Sequence, residues 1–222
     1  MRRDDGGWGQ ALFGALVAPP AAGPLARSAL IAPLRKPIMA LKATIFKAQL
    51  QLADMDRQVY ADHAVTLARH PSETDERMMV RLLVFALNVP VDTDGGALEF
   101  AKGLWDPDEP ELWHKDLTGQ IVHWIEVGQP DDRRLMKASG RAERVTVVAY
   151  GASAAIWWSG IATKITRAPN IAVWQIPAEQ AQALAALAAR TMQLQISVQD
   201  GTAWISSGPH AVEITPVRLN GG

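Results

Sequence analysis

The segment ELWHKDLTGQIVHWIEVGQPDDRRLMKASGRAERVTVVAY, residues 111–150, decides the fold. Residues 111–115 read as a short strand, and Leu117-Thr118-Gly119 supplies turn chemistry. Residues 120–127 then alternate Ile121, His123 and Ile125 against Val122, Trp124 and Glu126, the period-two signature of a strand. A link this short joins only antiparallel neighbours. Pro130 opens a helix that runs to about Arg141, and Arg144 to Tyr150 is a continuous apolar strand of the buried kind.

Upstream, PSETDE (71–76) is a helix start: Ser72 is the expected N-cap, Asp75 stands at the capping-box position, and the acids complement the dipole. Met79, Leu82, Leu83 and Ala86 carry the apolar stripe of a helix ending near Asn88. Residues 98–104 read as another short strand. The central order is therefore helix, three strands, helix, strand. Outside it lie two hairpins, residues 43–67 around Asp54-Met55-Asp56 and residues 192–205 around Asp200-Gly201. Residues 153–167 and 178–190 read as helices, 171–176 as a strand, and 212–214 as a further short strand. The fold class is α/β (α+β), with a mixed sheet flanked by helices and the hairpins forming a second small sheet.

Residues 1–38 have a different texture. Pro19-Pro20, Pro24, Pro33 and Pro37 interrupt every long helix, and the apolar run 11–18 is too short for a good signal peptide. They are expected to be a flexible extension or the product of an upstream start codon, with one folded domain over 39–222. The extension holds five basic and two acidic residues, which leaves 17 basic against 21 acidic for the domain, a balance of −4. Polyanion binding by the domain would need a local patch. No cysteine is present, which removes disulfides and thiolate chemistry and fits a reducing cytoplasm. No apolar run is long enough to span a membrane. Neither a phosphate-binding loop nor a nucleophile elbow occurs, and the histidines lack metal-ligand spacing.

Asp116 ends one expected strand, and Glu126 interrupts the apolar end of the next. A buried carboxylate needs a partner or a cation, and two of them across a strand pair would suit Mg²⁺. On spacing alone, exposed positions at strand ends are the plainer reading of both acids. The helix after Pro130 sets Arg134, Lys137, Arg141 and Arg144 on one side. That face could meet phosphates, and the plainer reading is a solvated face paired with Asp131, Asp132 and Glu143.

The stretches MALKATIFK (39–47), LARHPSETDERMMVRLLVFALN (67–88), ELWHKDLTG (111–119), WIEVGQP (124–130), GRAERVTVV (140–148) and MQLQISVQDG (192–201) resemble the YaeQ family. The resemblance begins at Met39 and covers the rest of the chain. It implies a restriction-endonuclease-like core with a variant PD-(D/E)XK motif. In that pattern Asp116 matches the first acid and Glu126 the second, while Gly128 occupies the lysine position. Gln129 or, preferably, Lys137 would replace the lysine, and Glu76 would add a metal-binding acid. The implied activity is Mg²⁺-dependent phosphodiester hydrolysis (Mn²⁺ substituting) on DNA or RNA, with Arg134, Lys137 and Arg141 contacting the nucleic acid. The missing lysine keeps open a catalytically inactive module that binds nucleic acid or a protein partner.

Overall fold

Phe46, Ala48, Leu50 and Leu52 face inward from β1 (Thr44–Asp54), while Lys47, Gln49 and Gln51 face outward. The alternation follows from the two-residue period of a strand with one dry face. β2 (Val59–Arg69) returns antiparallel, pairing Thr44 with Arg69 through to Asp54 with Val59. The turn is pinned by buried Asp54, whose carboxylate accepts from Arg57 N at 2.9 Å and Arg57 Nε at 2.6 Å. The computed structural model describes residues 43–91 and 95–220. The expected extension over 1–38 lies outside them.

α1 (Asp75–Leu87) is capped by Thr74 rather than Ser72: Thr74 Oγ1 accepts from Arg77 N at 3.1 Å. Ser72 instead hydrogen-bonds the ring of His70 through its hydroxyl. Every residue from Met78 to Ala86 is buried, as expected of a helix packed on all sides. Truncating a core side chain there, such as Leu83→Ala, costs about 2–5 kcal/mol.

β3 (Ala97–Phe100) is shorter than the strand expected over 98–104, because the chain turns at Gly103 into a short 3-10 turn. Gly103 has φ +50°, and a Cβ there would lie 2.5 Å from the Glu111 carboxylate. β4 (Leu112–Lys115) and β5 (Ile121–Val127) form the expected antiparallel hairpin. α2 (Asp132–Ser139), β6 (Arg144–Tyr150), α3 (Ala154–Ile161), β7 (Ile171–Ile176) and α4 (Ala178–Ala185) follow. α3 stops early because Ser159-Gly160 and Thr163 are weak helix formers. The expected helix over 178–190 stops at Ala185, where the chain turns to bury Leu187.

β8 (Thr191–Gln199), β9 (Thr202–Ser207) and β10 (His210–Ile214) are antiparallel neighbours, and β11 (Val217–Arg218) adds to the other sheet. The strands make two mixed sheets. One has the order β10-β9-β8-β1-β2, joined by a parallel β1/β8 pair; the other has β11-β7-β6-β5-β4-β3, parallel through β5, β6 and β7. One core unites the inner face of the first sheet, α1, α4 and residues such as Ile125 and Val148 of the second. On the second sheet's opposite face, Leu135 and Ala138 of α2 and Ile161 of α3 cover Trp124, Val145 and Val147. The order α1, β3, β4, β5, α2, β6 is the one read from the sequence.

Candidate functional site

Parallel strands β5 and β6 end side by side at Val127-Gly128 and Tyr150-Gly151, beneath a cavity of about 640 Å³. Such carboxyl-terminal strand ends are where open α/β sheets place their ligand crevices. Arg77, Glu111, Glu126, Gln129, Arg134 and Ser153 bring the polar atoms, and Leu104 and Pro107 form an apolar lip.

Glu126 is 4% exposed and faces α2. Its Oε1 accepts from Trp124 Nε1 and from Arg134 Nε, each at 2.7 Å, and its Oε2 accepts from Arg134 Nη2 at 3.1 Å. Burial pushes its pKa above the ordinary glutamate value, outweighing the Arg134 and Trp124 hydrogen bonds. Glu111, one residue before β4, lies beside β5: Glu111 N donates to Ile125 O at 3.1 Å. Its Oε1 pairs with Arg77, its Oε2 lies 3.8 Å from Arg81 Nη1, and Glu73 bridges both arginines at 3.2 Å. Burial also pushes the Tyr150 phenol up to about 12, with Glu76, Glu73 and Glu111 adding to the rise against Arg77.

Asp116 is not part of this cluster. It sits in the β4–β5 turn, accepting from Thr118 N at 2.8 Å, Thr118 Oγ1 at 2.7 Å and Gln120 N at 2.9 Å. The Thr118 hydroxyl bond, with the backbone bonds, holds its pKa below the usual carboxylate value. Six strand residues at about 3.3 Å each separate this turn from Glu126, roughly 20 Å in all. The structure therefore does not bring Asp116 and Glu126 together. The acid that the register sets opposite Glu126 is Glu111. Its sequence signal is a single acid opening the strand LWHK. Arg77 and Arg81 were also missed, although charged residues four apart in an otherwise apolar helix mark a buried pair.

Glu76 lies in the first turn of α1, near Tyr150, and its Oε1 is buried without a hydrogen-bond partner. Gln129 reaches the cavity but is tied to Tyr150 O at 3.2 Å and Ser153 Oγ at 2.8 Å. The expected nucleic-acid face is likewise engaged. Arg134 donates to the carbonyls of Pro107 and Glu109, Lys137 pairs with Asp108, and Arg141 Nη1 donates to Asp108 O at 3.1 Å. Together they pin the β3–β4 loop against α2. Trp157 Nε1 bonds Pro130 O at 2.8 Å, and both Trp157 and Trp158 are half-buried against the core.

The residues present do not fit a divalent cation. Glu73, Glu111 and Glu126 are matched by Arg77, Arg81 and Arg134, so the buried charge is balanced by guanidinium groups. Among the described residues no group of three or more His, Asp and Glu side chains is arranged to hold a metal ion. Gly128 has φ +110°, so a lysine at that position would be strained.

Comparison with known proteins gives a consistent set of likenesses. The YaeQ protein family matches residues 39–216. The uncharacterized protein YaeQ of Escherichia coli strain K12 is 44% identical over 177 residues, which is 79% of this chain and 95% of that protein. Its counterpart in Salmonella typhi is 45% identical with the same coverage. The crystal structure of YaeQ protein from Xanthomonas axonopodis pv. citri superposes with TM-score 0.75 at 42% identity, covering 81% of this chain and 99% of that one. That of YaeQ protein from Pseudomonas syringae gives 0.75 at 37% identity, covering 81% and 97%.

Proposed function

The chain belongs to the YaeQ family, and from the state of its acidic pair we propose that it is a binding module of restriction-endonuclease-like topology without metal-dependent catalysis. The observation that carries this reading is the two-bonded closure of Arg134 on Glu126. A carboxylate already satisfied by a guanidinium offers a Mg²⁺ ion little, and Arg77 and Arg134 at the cavity repel it. Arg134, Lys137 and Arg141 are committed to the β3–β4 loop, so a polyanion finds that face occupied. The apolar lip at Leu104 (45% exposed) and Pro107, over a polar floor, suits a segment of a protein partner better than a phosphate backbone.

Two measurements test the proposal. Single- and double-stranded DNA and RNA are incubated with Mg²⁺ or Mn²⁺ and either the native chain or Glu126→Gln. The expected result is no cleavage and no metal-induced stabilisation; metal-dependent cleavage abolished in Glu126→Gln would overturn the reading in favour of a phosphodiesterase. In cells, a photo-crosslinking residue at Leu104 is expected to give a discrete protein adduct that the same residue at Leu117, on the distant hairpin turn, does not give. Identical adducts from both positions count against a partner at the cavity.

A further inference from the structure

We propose a second binding site, independent of the cavity, on the outer face of the five-stranded sheet: a platform for a neutral, polyhydroxylated chain. Strand register places Tyr60, Ala53, Ser197 and Trp204 in one row across β2, β1, β8 and β9. The next row is Asp62, Gln51, Gln195 and Ser206, and the third holds Gln49 and Gln193. Tyr60 is 67% exposed and Trp204 is 40% exposed. Three inter-strand spacings separate them, roughly 14 Å, with only Ala53 and Ser197 between. Two rings thus flank a low floor on which a planar apolar face can lie.

The amide rows border a hollow of about 510 Å³. Ser206 Oγ donates to Gln195 Oε1 at 3.5 Å, and Gln195 Nε2 donates to Gln51 Oε1 at 3.2 Å, so a polarised chain crosses three strands and ends on the Gln51 amide. A primary amide both donates and accepts, which matches a hydroxyl group that does the same. Charge narrows the occupant further. The outward residues of these rows carry the acids Asp62 and Glu213, and the next row adds only Lys47, so neither a polyphosphate nor another polyanion is favoured. Sugar rings present the complementary surface: apolar C–H faces for the two aromatics and hydroxyl edges for the amides.

The test titrates the full chain with maltoheptaose and cellohexaose, up to about 10 mM, following indole N–H resonances assigned through Trp204→Phe. The expected result is a saturable shift of the Trp204 indole with at least one oligosaccharide. Trp204→Ala and the double variant Gln51→Ala/Gln195→Ala should each raise Kd by about tenfold or more, and Arg133→Ala on α2 should not. The Trp204, Gln51 and Gln195 side chains lie on the wet face of the sheet, and an unchanged melting temperature verifies folding. No Trp204 shift with either sugar overturns the proposal. So does a shift produced instead by a single-stranded oligodeoxynucleotide, which would make the face a base-stacking surface. Neither result bears on the cavity.

Discussion

Arg134 closes on Glu126 across the α2–β5 interface, Nε to Oε1 at 2.7 Å and Nη2 to Oε2 at 3.1 Å, while its remaining donors hold the carbonyls of Pro107 and Glu109. One side chain thus neutralises the buried acid of β5 and anchors the loop at the cavity's lip.

Removing that guanidinium strands a buried carboxylate. Arg134→Met is expected to cost about 2–4 kcal/mol in urea unfolding, below the fully buried limit because Arg134 is a quarter exposed. Adding Glu126→Gln to the same chain should restore part of the loss.

Glu126 also leaves a trace in the pH dependence. Its folded pKa lies above its ordinary value of 4.5. The folded state therefore holds the proton more tightly, and wild-type stability falls as pH rises through the window from that value upward. Across that window the stability of Glu126→Gln relative to wild type should rise, measured by unfolding at matched ionic strength.

His123 works in the opposite sense. Burial, with Arg144 and His114 nearby, holds its ring at about 3. Arg144 Nη2 donates to its Nδ1 at 3.0 Å, so Nε2 carries the proton that reaches Thr146 Oγ1 at 2.8 Å. An unfolded chain takes up a proton below about 6.5 and the folded chain does not. Stability should then drop by about 1.4 kcal/mol per pH unit from 6.5 toward 3, and His123→Gln should flatten that slope.

Gly128→Lys restores the residue that the nuclease pattern wants. With φ at +110° the substitution is expected to destabilise by about 1–3 kcal/mol and to confer no metal-dependent cleavage. Full stability together with new Mg²⁺-dependent activity would contradict this.

The strapped loop gives a local prediction. Lys137 is 55% exposed, so its pair with Asp108 is screened by solvent and adds little to global stability. Lys137→Ala with Arg141→Ala should barely move the melting temperature. Hydrogen exchange should nevertheless speed up at residues 102–109, which rest on α2 through these two side chains and Arg134.

Most of the elements were legible because their signals are local. The alternation of Phe46 to Leu52, the turn at Leu117-Thr118-Gly119 and the apolar run 145–149 each report through neighbours in the chain. Boundaries failed where the deciding contact was distant: Gly103 turns against the Glu111 carboxylate, and the α4 end follows from burying Leu187. The site was half legible. Glu126 announced itself as a carboxylate inside an apolar strand. Asp116 was read as the first acid from the resemblance, and only the hairpin register sets Glu111 opposite Glu126 and Asp116 roughly 20 Å away.

What the sequence determined by itself was periodicity, and with it the helices, the strands, their inward faces and the family. The tertiary structure alone decided two matters. The hairpins, expected to share a sheet, join it by β1 pairing in parallel with β8, a choice of strand and direction that the periodicity leaves open and that lets α1 cover both dry faces. Arg77 of α1 pairs with Glu111 just before β4, and Arg134 of α2 pairs with Glu126 of β5, because charges drawn out of water take whichever partner the packing brings within reach.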